Sequence, residues 1–170
     1  MTADELLRRY AAGERNFAGV ELGGSRRKNI RIHLSSTDLR GINLSGANLE
    51  MVNFALSDLS GSRFFGAYLS YSCLIRTNFT RADMRYATIN WSDVREANFS
   101  STKMEGIDLS SSNLKKTIWR GNNLSSAILI RTNLTDAEGW KGGGGELYNA
   151  LFWGTTLPDG NVVEGSERHL

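Results

Sequence analysis

The sequence predicts an all-β solenoid with one short N-terminal α-helix as its cap. Two observations carry this. From Leu34 to Leu134 every fifth residue is apolar, twenty-one positions without an exception, in a chain whose apolar fraction is 40%. A period of five fits neither a helical face, which repeats at 3.6 residues, nor a strand face, which repeats at 2. It fits a repeat architecture in which each unit buries its apolar side against its neighbours.

A second series lies two positions before the first. It is small or β-branched almost throughout, as in Thr37, Ala47, Ser62, Ala82 and Thr102; Asn122 is the polar misfit. One position before the large residue, Asn or Asp dominates, and Gly recurs two positions after it, at 41, 46, 61, 66, 106 and 121. Residues i and i−2 of a short extended segment share a face. The large and small residues therefore point inward and the one between them outward. Gly suits a corner with positive φ. Each unit is thus three extended residues and a corner. The misfit Asn122, close to the oversized Trp119, predicts local irregularity and a hydrogen-bonded buried amide, because an unpaired one is costly.

Units such as Ala47-Asn48-Leu49-Glu50-Met51, Ala82-Asp83-Met84-Arg85-Tyr86 and Ala97-Asn98-Phe99-Ser100-Ser101 resemble the A(D/N)LXX consensus of the pentapeptide-repeat proteins. The resemblance covers about residues 32–138. It implies a right-handed quadrilateral β-helix with four units per coil. The sequence itself supports a twenty-residue coil, since Phe79, Phe99 and Trp119 lie twenty apart, as do Met84 and Met104. Five such coils at the strand spacing make a rod of roughly 25 Å.

Taken in order, residues 1–13 read as the capping helix. Thr2 and Glu5 have capping-box spacing, Leu6, Leu7, Tyr10 and Ala11 form one apolar face, and Gly13 stops the helix. The run from Leu6 to Arg15, LLRRYAAGER, resembles the start of cyanobacterial members of that family, which implies a cyanobacterial source. Residues 14–138 form the β-helix, with its regular array at 32–138. Phe17 and Leu22 make a first, imperfect coil, out of phase with Leu34. Gly23 to Lys28 is expected as a solvated basic bulge. Residues 139–160 hold a glycine-rich loop and a C-terminal coil, carried by Asn149, Ala150, Leu151 and Phe152. The single proline, Pro158, falls where the ladder ends. Residues 161–170 read as a loose tail.

Composition excludes several function classes. Net charge is +2 for the whole chain and +2 for residues 33–136, which argues against nucleic acid as a partner. Cys73 is the single cysteine, so an internal disulfide is impossible. No apolar run is long enough to cross a membrane and no hydrophobic signal core opens the chain, so a cytoplasmic protein is expected. His33 and His169 are far apart, and the many Ser and Asp residues belong to the repeat. No catalytic, metal-binding or cofactor-binding set is expected, and no small-molecule substrate.

A non-enzymatic scaffold for protein–protein interaction, with another protein or with itself, is the reading that remains. Its candidate contact surface is one outward corner column, Met51, Tyr71 and Trp91, with Tyr68, Leu56 and Ile75 beside it. Aromatic and Met side chains grouped on a surface are the types enriched at interfaces. The resemblance implies an alternative, because some pentapeptide-repeat proteins mimic DNA and bind type II topoisomerases. That mimicry calls for a densely acidic surface, which this sequence lacks.

Overall fold

The computed structural model describes residues 1–24, 31–141, 147–164 and 167–168. The basic residues Arg26, Arg27 and Lys28, the run from Gly142 to Glu146, and His169 lie outside them. The elements are one helix, α1 (Ala3–Ala11), and the short paired strands β1 (Ile32–His33), β2 (Val52–Asn53), β3 (Leu151–Phe152), β4 (Thr155–Thr156), β5 (Val162–Val163) and β6 (Glu167–Arg168).

From β1 on toward β3 the chain is held by single parallel bridges at every fifth residue. Asp38 pairs with Asp58, Asn43 with Arg63, Asn48 with Tyr68 and Asn53 with Cys73, and the same register of twenty runs on to Ile118 and Glu138. Four bridges per coil give four faces. The large residues fill the interior in four columns: Leu34 to Leu134 on a first face, Leu39 to Trp119 on a second, Leu44 to Leu124 on a third, Leu49 to Leu129 on a fourth. All twenty-one are buried. The stacking expected of Phe79, Phe99 and Trp119 is present, with ring centroids 5.4 and 5.0 Å apart.

Each repeat position has a physical cause. Most hydroxyls of the small inward residues donate to the preceding coil, as Ser72 does to the Leu49 carbonyl, Thr77 to Phe54, Thr102 to Phe79 and Ser112 to Ile89, while Ser62 and Thr117 donate to the carbonyls of Leu59 and Leu114 in their own coil. This lets Ser and Thr be buried without an unpaired polar atom. The outward Asn or Asp accepts from the backbone N–H two residues on, as Asn43 does from Ser45 and Asp58 from Ser60. That contact shapes the turn that follows. Every corner then closes through a residue with φ near +60°. Gly occupies some corners, but so do Met51, Leu56, Tyr71, Tyr86 and Trp91.

Both ends depart from the register of twenty. Asn16 pairs with Asn43 and Glu21 with Asn48, an offset of 27, so Phe17 and Leu22 do form a buried first coil. α1 covers the open end of the core through Leu6, and the Tyr10 hydroxyl donates to the Arg40 carbonyl at 2.8 Å. Thr2 caps it by accepting from the Glu5 N–H at 3.2 Å. At the other end Ile128 pairs with Leu151 and Asn133 with Thr156, an offset of 23. Residues 161–170 are not simply a loose tail: β5 pairs antiparallel with β4, and β6 with β3. The last coil would otherwise present an unpaired strand edge.

Asn122 meets the expectation in part. Its Nδ2 donates to the carbonyls of Phe99 and Thr102, but its Oδ1 accepts no hydrogen bond among the described residues. Trp119 nearby donates Nε1–H to Thr117 Oγ1 at 2.7 Å.

Candidate functional site: an aromatic face

Corner residues with positive φ hold their side chains away from the core. Tyr71 and Trp91 occupy successive positions of one corner, with φ of 60° and 58°. Their rings are nearly parallel, 12° apart, with centroids separated by 6.4 Å. Trp91 is 57% exposed and Tyr71 half-buried. Tyr68 stands on the fourth face itself, 58% exposed, at the position where Asn48 and Thr88 stand in the adjoining coils.

The other expected members divide. Met51 does not belong to the exposed stripe, since it is only 6% exposed. The Gly24 N–H donates to the Glu50 carbonyl and Ile32 pairs with Val52, so Met51 sits between two backbone contacts that its counterparts Tyr71 and Trp91 do not have in this form. Leu56 is exposed and Ile75 half-buried, and the Leu56 N–H donates to the Ile75 carbonyl. These two sit at the far edge of the first face, a face away from Tyr71 and Trp91.

Phe65 and Tyr86, absent from the sequence-based set, complete the surface. They lie at the corner leading into the fourth face and meet edge to face at 5.5 Å. The Arg85 guanidinium lies 5.6 Å from the Phe65 ring centroid. Arg85 also donates to Asp83 from Nε and Nη2, at 2.8 and 2.7 Å, which holds the Asp83 carboxyl below its usual range. Gly66 and Gly106 flank Tyr86 in its corner column, and a Cβ at Gly106 would come within 2.6 Å of the Tyr86 ring. The signal for Phe65 was in the sequence, as Phe65, Tyr68 and Tyr71 are spaced three apart along one coil.

Further along the rod, Tyr148 continues the column of Phe65, its carbonyl accepting from the Ser126 N–H. Trp153 stands beside the column of Trp91, its carbonyl accepting from the Arg131 N–H. All six exposed aromatic side chains among the described residues, Phe65, Tyr68, Tyr86, Trp91, Tyr148 and Trp153, therefore lie on the fourth face or its two edges.

The Tyr71–Trp91 ridge separates two grooves. One, of about 490 Å³, is lined by Tyr68, Tyr71, Trp91, Asn48, Asn90, Ser70, Gly46 and the carboxylates Glu21 and Glu50. The other, of about 320 Å³, is lined by Arg31, Asn53, Ser72, Cys73 and Asp93 besides the ridge, and Arg31 donates to the Tyr71 carbonyl at 3.4 Å. No group of His, Cys, Asp and Glu side chains suited to a metal ion occurs among the described residues. No helix there is long and apolar enough to cross a membrane.

The pentapeptide repeats model matches in eight copies, over residues 31–61, 62–100 and 102–138. The chain belongs to the pentapeptide repeat family. Its likeness to solved structures is of the same kind. A pentapeptide repeat protein of the Arabidopsis thaliana thylakoid lumen is 26% identical over 60% of this chain and 71% of its own, with a TM-score of 0.58. A pentapeptide repeat protein of the cyanobacterium Cyanothece, Rfr23, is 19% identical over 94% of this chain and 97% of its own, at a TM-score of 0.46. QnrB1, a plasmid-mediated fluoroquinolone resistance protein, is 14% identical over 85% of this chain and 92% of its own, at 0.29. No curated protein sequence matches. The pentapeptide repeat chain is a right-handed β-helix.

Proposed function

We propose that this pentapeptide repeat protein is a non-enzymatic scaffold, a four-sided rod that binds another protein through its fourth face. One observation carries the reading: every exposed aromatic side chain among the described residues is on that face or its edges. A side chain costs about 1–2 kcal/mol in the left-handed region relative to glycine, yet Tyr71, Tyr86 and Trp91 stand there. Folding alone gives no reason to place large aromatics at corners that glycine fills elsewhere in the same columns. Aromatic side chains grouped on a surface supply contact area at small conformational cost, and such residues dominate interface energetics.

Topoisomerase binding by DNA mimicry finds no support in this surface. The arginines at 40, 85 and 95 each pair with an aspartate two residues before them, and the array as a whole carries a net charge of +2, not the acidic surface that such mimicry calls for. The test of the scaffold reading compares wild type with Tyr68→Ser/Trp91→Ser in quantitative crosslinking and sedimentation, in the presence of proteins from the source organism. Selective loss of a crosslinked species with folding intact is expected. An unchanged set of crosslinks would refute the reading.

A further inference from the structure

We infer that the groove between Tyr68 and the Tyr71–Trp91 ridge takes a cationic side chain, a lysine or arginine on an extended segment of the partner protein. The inference rests on the scaffold reading and names the chemistry of its contact. Two carboxylates, Glu21 and Glu50, line this groove, and none of its lining residues is a lysine or arginine. Glu21 is held in place, because its Oε2 accepts from Asn48 Nδ2 at 2.9 Å. Asn48 in turn is fixed by its own turn, its Oδ1 accepting from the Glu50 N–H at 3.1 Å. The groove is thus flanked by aromatic rings and carries its two carboxylates toward its N-terminal end, so each can be met by the same bound group. Only one class of group is favoured by both. A cation is attracted by a carboxylate and by the face of an aromatic ring within about 6 Å. An anion is repelled by the first, and an uncharged apolar group would strip water from the carboxylates without replacing it.

The opposite side of the ridge supplies the contrast. There Arg31 and Asp93 both line the second groove, so its charge is balanced and a cation is already in place. The lining of the ridge is therefore acidic on one side and neutral on the other; the Met1 ammonium, which is not part of the lining, donates to the backbone carbonyl of Glu21 at 3.2 Å and leaves its carboxylate to Asn48. An extended segment crossing the ridge would seat its basic side chain on the side of Glu50. The groove draws its lining from four coils, the irregular first one and three regular ones, which suits an extended chain better than a compact ion.

The test is a titration of isotope-labelled full-length protein with two capped nonapeptides, one alternating Ala and Lys, the other Ala and Glu, and with tetramethylammonium chloride. The Lys peptide is expected to shift the Trp91 indole N–H signal saturably, and the Glu peptide to leave it unmoved. Glu50→Gln should weaken the Lys peptide by roughly two- to fivefold, and Glu21→Gln/Glu50→Gln by more, as expected for exposed charge and cation–π contacts. Arg31→Ser, on the other side of the ridge, should not weaken it. Equal binding of both peptides, or no effect of the Glu substitutions, would overturn the inference. Tetramethylammonium binding as tightly as the peptide would overturn it too, in favour of a small-cation site. If Tyr68→Ser/Trp91→Ser loses the native crosslink while Glu21→Gln/Glu50→Gln keeps it, the scaffold reading stands and the cationic contact falls. If neither variant changes the crosslinks, the scaffold reading itself falls.

Discussion

Tyr71 and Trp91 stand one coil apart at the same corner, each in left-handed backbone, with their rings 12° from parallel and 6.4 Å between centroids. The backbone at this corner favours glycine, and the pair places two of the chain's largest side chains there. Stacking returns part of the backbone cost, since aromatic pairs contribute about 0.5–1.5 kcal/mol beyond their buried area.

Trp91→Gly sets these terms against each other. It relieves a left-handed residue, about 1–2 kcal/mol, and loses the stack together with some backbone order. Stability is expected to stay within about 1 kcal/mol of wild type. Chemical denaturation checks this. A loss above about 3 kcal/mol, in the range of core truncations, would place Trp91 in the fold's core and not on its surface.

Gly66 and Gly106 occupy the same corner column with φ of 62° and 67°, but only the second faces the Tyr86 ring. Gly66→Ala should cost about 1–2 kcal/mol, for the backbone alone. Gly106→Ala should cost more, because Tyr86 must also move. In the Tyr86→Ala background the two glycine substitutions should cost the same. Thermal unfolding of the five variants settles this, and a difference that persists without Tyr86 would locate its cause elsewhere.

Asn122 is buried with Oδ1 unpaired among the described residues. At the same place one coil earlier, Thr102 donates its hydroxyl to the Phe79 carbonyl at 2.8 Å. Asn122→Thr should repeat that bond to Phe99 and remove the unsatisfied acceptor. A gain of about 1–3 kcal/mol is expected. A loss of stability would show that the amide is better satisfied in solution than by its described neighbours.

Asp83 is bound by Arg85, and its carboxyl is held below the usual range by that hydrogen bond. A depressed carboxyl contributes stability that is fully present above its unfolded value of about 3.9 and lost as pH falls through the folded value. Arg85→Gln should therefore be less stable than wild type near neutral pH, and the gap should narrow below about pH 4. Melting temperatures across that range measure it. A gap that widens in acid would contradict the assignment.

The interior was legible because its rule is local. A residue's place among five fixes whether it is inside, and Leu34 to Leu134 obey without exception. The coil of twenty was legible from Phe79, Phe99 and Trp119 because like rings stack well. The exposed aromatic face was legible only in part. Trp91 and Tyr68 were read correctly as exposed, but Met51 lies beside the irregular first coil, and no repeat position encodes that. Phe65 and Tyr86 escaped a reading taken along columns, since glycines stand above and below Tyr86. The relation of Phe65 to Tyr68 runs around the coil, not along the rod. The antiparallel closure by β5 and β6 was not legible, because Val162–Val163 carries no trace of the five-residue rule.

The offsets of 27 and 23 residues, against twenty everywhere between them, occur only at the first and last coils. Inside the array, one inserted residue would turn every later inward side chain outward for the rest of its face. At an end, a surplus of seven or three residues disturbs a single neighbour. Growth of such a protein by duplication is therefore quantised: twenty residues lengthen the rod and keep every contact type, while any other number is tolerated only at its margins. The acidic groove and the aromatic ridge lie at the N-terminal margin, where Glu21 comes from the irregular coil and Tyr68 from the regular one. The shape and charge of that groove therefore depend on one irregular coil, and the length of the rod is left free to vary behind it.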